Sequence, residues 1–155
     1  MTLRRLEIAG QAYHTTQVLE AEEGGTQTFK ENEILILTSG RATVASADPA
    51  AGTLLGIAAQ DGHNSTAGTD KVKYIPFYDG LLLEMTLYDG TADSYALVIG
   101  DYGKKYGIAV SANKWYIDTN DTTNTRVVIV KFISDKATKD ARVLARVLRS
   151  ADIYD

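Results

Sequence analysis

The chain has 155 residues, a formal net charge of −4, two histidines and no cysteine. A domain of this size buries roughly 70% of the surface its unfolded chain exposes, so it needs no disulfide or metal staples, and thiolate chemistry is excluded. An acidic balance with a pI near 5.2 argues against a dedicated nucleic-acid binder, the apolar runs are too short to span a bilayer, and Arg4 and Arg5 lead into Glu7, Gln11 and His14 rather than a secretory leader, so synthesis in a cytoplasm is expected.

Residues 1–18 mix apolar and polar side chains without a sustained period, and Gly10 interrupts them. Leu3, Leu6, Ile8 and Tyr13 are too apolar for a purely solvated tail. The reading is an N-terminal arm over residues 1–18 that orders on a partner, with a strand of the main body as its rival. The folded domain then takes residues 19–155.

From Thr26 the chain shows short strands with turn punctuation. One strand is expected at 26–30. Two more, at 34–38 and 41–45, flank Ser39-Gly40 as a hairpin. Residues 53–60 form a strand whose Gly56 marks a bulge or a close backbone approach. Residues 61–70 are a polar loop. A strand at 71–75 ends at Pro76, at a sheet edge or a bend. In 81–88, Leu83, Met85 and Leu87 share one face. Strands follow at 95–99 and 106–110.

Residues 114–133 read as a second hairpin, with aromatic and β-branched runs on either side of the Asp/Asn/Thr cluster at 118–124. Trp115 and Ile117 share a face. In the second run Val128, Val130 and Phe132 share one face, and Val127, Ile129 and Ile133 the other. Such a strand is buried on both sides, inside the fold or against another subunit. Residues 140–153 are ambiguous. Val143, Leu144, Val147, Leu148 and Ala151 follow helical spacing, while 142–148 also suits a strand. The many short strands make the domain all-β, a sandwich or barrel.

Charge is uneven. Residues 20–33 carry Glu20, Glu22, Glu23, Glu31 and Glu33 against Lys30, and residues 131–149 are rich in Lys and Arg. These are two solvated surfaces, or complementary patches that orient subunits.

Catalytic signals are weak. Asp61, His63 and Ser65 share a short loop, where a relay geometry is rare and needs a base oriented by a third group. Gly103-Lys104-Lys105 lacks the first glycine and the Ser/Thr of a phosphate loop. Asp118, Asn120 and Asp121 offer oxygens for Ca²⁺, without the glycine hinge and distal glutamate of a helix-loop-helix site. Turn-forming chemistry alone accounts for them. Nine tyrosines suit interfaces or a sugar site, and most fit half-buried strand positions.

Six segments occur in a set order: ILILTSGRATV (34–44), GTLLGIAAQDG (52–62), KVKYIPF (71–77), LEMTLYDG (83–90), YGIAVSANKWYIDT (106–119) and RVVIVKFI (126–133). With the final RVLARVL (142–148), this series resembles the head decoration, or cement, proteins of tailed bacteriophages over about residues 26–149. The resemblance implies a compact β-barrel or β-tulip-like domain on the outer surface of the icosahedral capsid. It implies a homotrimer bound to the major capsid protein, an arm along the shell, and a closing strand in place of the helical reading of 140–148. It implies no catalysis, cofactor or metal, and no nucleic-acid or membrane partner. Leu3, Arg4, Arg5, Leu6, Ile8 and Tyr13 become the expected capsid-contact arm. Val127, Ile129, Lys131, Ile133, Arg142 and Arg146 become the expected subunit seam.

Two other classes compete. A carbohydrate-binding module would use tyrosines around 61–70 and 101–106. A small β-barrel enzyme lacks a nucleophile–base constellation.

Overall fold

Residues 34–37 and 54–58 are apolar in both alternating phases. A strand takes that composition when protein covers both of its faces. The computed structural model, which describes residues 4–5, 17–77, 81–90, 98–112, 114–134 and 141–151, places both segments in that position. Its strands are β1 (Arg4–Arg5), β2 (Leu19–Glu22), β3 (Ile34–Thr38), β4 (Arg41–Val44), β5 (Leu54–Ala58), β6 (Lys71–Pro76), β7 (Leu83–Tyr88), β8 (Lys105–Ser111), β9 (Lys114–Asp118), β10 (Val127–Phe132) and β11 (Arg142–Val147). The protein is all-β, as its strand-and-turn pattern requires.

The strands make two sheets. The first runs β2-β6-β5-β3-β4 and is antiparallel throughout. A parallel bridge from Glu23 to Ala42 brings its two ends together, with Gly24 N–H donating to Ala42 O at 2.9 Å. The second runs β1-β7-β11-β10-β8-β9, and β9 returns to pair in parallel with β7. Each sheet therefore closes into a five-strand ring, with β1 attached to β7 outside the second ring. Closure removes the unpaired edges that invite aggregation.

The β3–β4 hairpin turns on Ser39 (φ 50°) and Gly40 (φ 77°), the two positive angles a two-residue turn needs to match strand twist. At β5 a register shift opposite Leu35 and Ile36 leaves Leu55 as an extra residue. Leu54 and Ile57 then face one core while Leu55 and Ala58 face the other. In β3, Ile34 and Leu35 divide the same way. The β3–β5 pair is thus a wall between two apolar interiors. The smaller interior holds Phe29, Ala42, Val72 and Tyr74. The larger is filled by Leu83, Met85, Leu87, Ile108, Trp115 and Ile117, among others.

Several expectations need correcting. Residues 26–30 form no strand; they run irregularly, with Phe29 buried. Of the expected strand at 95–99, residues 95–97 lie outside the described residues, Val98 is in no strand, and Ile99 opens a 3-10 turn at Ile99–Asp101. Residues 114–133 are not a hairpin. β9 pairs with β8 and β7, whereas β10 pairs with β8 and β11. The hairpin is β8–β9, with Ser111 opposite Lys114. The connection after Asp118 steps over β8, since strands two places apart are about 10 Å apart. The faces of β10 also change. A bulge between Ile129 and Lys131 leaves Val130 unpaired, so Val127, Ile129 and then Phe132 turn toward the core. The last segment is a strand, with Val143, Ala145 and Val147 inward, followed by a 3-10 turn at Arg149–Ala151.

Gly56 sits where the wall meets β6. A Cβ there would run into the carbonyl oxygen of Ile75 and approach Tyr74 Cδ2 to 2.8 Å. Gly56→Ala is expected to cost about 1–3 kcal/mol, lowering the melting temperature by roughly 2–4 °C per kcal/mol. Gly100→Ala, where nothing lies within 4 Å, leaves it unchanged. Equal thermal melts for the two variants would refute the close-approach account.

Candidate functional site

Leu19 and Ala21 point inward from β2, and the same alternation carries Glu23 to the inner side of the chain. Its side chain is 0% exposed. One carboxylate oxygen accepts from the His63 backbone N–H at 2.8 Å, and the other meets His63 Nδ1 at 2.6 Å. Backbone bonds link Glu23 N–H to Asp70 O and Gly68 N–H to Glu23 O. Glu23 therefore fastens both ends of the 61–70 loop. The hydrogen bond from Glu23 raises the His63 pKa above its ordinary 6.5, desolvation opposes the rise, and the charges of Glu23 and Asp70 add to it.

This pair was missed by sequence reasoning, which gave His63 no orienting group and Glu22-Glu23 no chemical role. The inward phase of Leu19 and Ala21 was the signal available. Asp61 and Ser65 do not complete a relay. Asp61 binds Lys30 Nζ at 2.7 Å and the Glu31 N–H at 2.9 Å. The Ser65 hydroxyl is buried without a hydrogen bond. His63 Nε2 instead faces Gln60 Nε2 at 3.4 Å. The arrangement is a hydrogen-bonded latch rather than a nucleophile and base. Beside it lies a shallow groove lined by Thr26, Asn64, Ser65 and Thr69; among the described residues that line it there is no aromatic side chain on which a sugar ring would stack.

Where the β4–β5 loop meets the turn after β9, Asp48, Asp118, Asp121 and Arg126 gather. The oxygens weighed for Ca²⁺ form the turn: Asp118 Oδ1 accepts from Asn120 N–H, and Asp121 Oδ1 from the N–H groups of Thr123 and Asn124. Among the described residues no three His, Cys, Asp or Glu side chains are grouped to hold a metal. Asp121 Oδ2 is buried without a hydrogen-bond partner, with the Asp48 carboxyl as its titrating neighbour. Desolvation, then the hydrogen bond to Asp121 and the charges of Asp121 and Asp118, push the Asp48 pKa above 3.8 against the pull of Arg126. Burial works to raise the Asp121 pKa, but hydrogen bonds from Asn124, Thr123 and Asp48 hold it below 3.8. Arg126 donates to Pro49 O, and Asp48 N–H donates to Ile108 O at 3.1 Å. The cluster clasps the β4–β5 loop onto the second ring.

The third feature is the turn before β8. Val98, Ile99 and Tyr102 are 52%, 74% and 65% exposed. Between them Asp101 is fully buried. It accepts from Val98 N–H at 2.9 Å and Tyr106 Oη at 2.8 Å, and lies 3.5 Å from Lys104 Nζ. Gly103 N–H donates to Ile129 O, Ile129 N–H donates to Lys104 O, and the Tyr102 ring meets Phe132 edge-on at 6.4 Å. Three apolar side chains are held outward by a buried carboxylate.

The expected site residues divide. Leu3, Leu6, Ile8 and Tyr13 lie outside the described residues, and Arg4 and Arg5 pair through the backbone with Glu84 and Leu83. Val127 and Ile129 cannot face another subunit, because the protomer's own core buries them. Arg142 is bound to Glu84 at 2.6 Å, while Lys131, Ile133 and Arg146 are exposed. The acidic stretch is largely answered within the chain. Glu20 and Glu22 lie opposite Lys73 and Lys71, and Arg41 stands 3.6 Å from Glu22. No protein-family model matches this sequence, and no curated protein matches it.

Because folding raises the His63 pKa, its contribution is complete below about pH 6.5 and is lost as pH rises through the folded-state value. His63→Gln should flatten the decline in melting temperature between about pH 6 and pH 8; an unchanged slope rejects the latch. Asp48 works in the same sense at lower pH: its protonated form is favoured in the fold, and that stability is lost as pH rises from 3.8 through the raised value. Asp48→Asn keeps a donor and tolerates the φ of 49° at this position. It should raise the melting temperature at neutral pH and remove the gain on mild acidification, measured by thermal melts across that range.

Proposed function

We propose that this chain is a head decoration protein of a tailed bacteriophage. On this reading it binds the outside of the expanded icosahedral capsid as a homotrimer, cements neighbouring capsomers and performs no catalysis. The observation that carries the reading is the wall of β3 and β5. It serves two interiors at once and makes the two rings one stiff body. A cement must not yield before the joint it spans, and a body with a common wall has no hinge between its halves. The segments behind the resemblance coincide with successive elements: the β3–β4 hairpin, β5, β6, β7, the β8–β9 hairpin and β10.

Such a protein stabilises a shell by binding the assembled lattice better than free subunits, so its effect grows with its concentration. Undecorated expanded heads of the phage that encodes the chain should bind the purified protein saturably on co-sedimentation and resist heat better as it is added. Light scattering should return the mass of a trimer. Absence of binding to heads rejects the reading. Removing residues 2–12 should weaken occupancy while the body keeps its melting transition, because both rings close without β1.

A further inference from the structure

We infer that the turn spanning residues 98–102 is the docking knob of this body, and that it takes an apolar pocket rimmed by carboxylates on the shell protein. The inference rests on the decoration reading and names the surface and the partner chemistry within it. Val98, Ile99 and Tyr102 put three large apolar side chains into solvent within five residues. Tyrosine and aliphatic anchors of this kind concentrate binding energy when a pocket desolvates them.

The knob is preorganised. Asp101 is buried beneath it and ties Val98 to Tyr106, and the backbone of residues 103–104 is bonded to Ile129. Little conformational freedom is left to lose on docking, which favours affinity.

Charge selects the occupant. Lys104 and Lys105 follow Tyr102 in the chain, and Lys131 precedes Phe132, the ring that Tyr102 touches. All three lysines are exposed. A symmetry axis through the knob would set these lysines against their own copies, and like charges across a contact disfavour it. An acidic rim on a different chain draws them in. Attraction between exposed charges weakens with ionic strength, so docking is salt-sensitive.

The test compares wild type, Ile99→Ser/Tyr102→Ser and Lys105→Glu/Lys131→Glu on undecorated expanded heads, alongside melting curves and light scattering of each free protein. All the substituted side chains are exposed and only the Tyr102–Phe132 ring contact is lost, so each variant should keep a single melting transition close to that of wild type. The apolar double variant should bind heads roughly tenfold or more weakly with its oligomeric mass unchanged. The charge-reversed variant should associate more slowly and lose the salt dependence of wild type. If wild type binds and the apolar variant binds equally well, the knob assignment fails and the decoration reading stands. A variant that changes oligomeric mass overturns the assignment in favour of a self-contact. Failure of wild type to bind heads removes both.

Discussion

Everything else in this protein depends on a two-strand wall that is apolar on both faces. β3 and β5 send Ile34, Leu54 and Ile57 into one interior and Leu35, Leu55 and Ala58 into the other. A regular strand alternates strictly and would set Leu54 on the same side as Ala58, so the observed pairing of Leu54 with Ile57 and of Leu55 with Ala58 needs a local break in phase. The extra residue at Leu55 supplies it. Gly56 then allows β6 to come close to the break. Each buried Leu or Ile here contributes about 1.5–3 kcal/mol by leaving water, and both rings use the same pair of strands to obtain it.

The buried polar groups hold loops to this frame. Glu23 closes the 61–70 loop, Asp101 closes the turn before β8, and Arg126 with the Asp48–Asp121 pair closes the β4–β5 loop. A buried charge is costly unless satisfied, so each takes several donors or an opposite charge. These three loops, the 98–102 turn among them, are thereby tied to the strands by side-chain as well as backbone bonds.

Local chemistry made much of this legible in the sequence. Ser39-Gly40 between two alternating runs could only be a tight turn, and Leu83, Met85 and Leu87 announced their shared face. Gly56 signalled a bulge or a close approach, and the structure has both. Reading failed where pairing is not local. Asp118 and Asp121 form a turn, but turn chemistry does not say whether the chain returns beside β9 or steps across β8. The phase of Val127 to Phe132 was misread because a bulge leaves no mark in a run of valines and isoleucines. Glu23 was dismissed because its partner lies forty residues away, although the alternation from Leu19 already pointed it inward. The apolar turn at 98–102 was passed over because composition cannot tell an exposed isoleucine from a buried one.

The shared wall also orders events in time. β2 through β6 lie within residues 19–76 and complete their own ring, so they leave the ribosome before any strand of the second ring that follows β6. If the first ring closes at that moment, Ile34, Leu54, Ile57 and Ile75 form the outside of a finished barrel, with nothing yet made to cover them. A nascent chain in that state is folded and adhesive at once. Its yield in the cell is then set by how quickly β7 to β11 arrive, and by whether a neighbouring chain reaches the bare wall first.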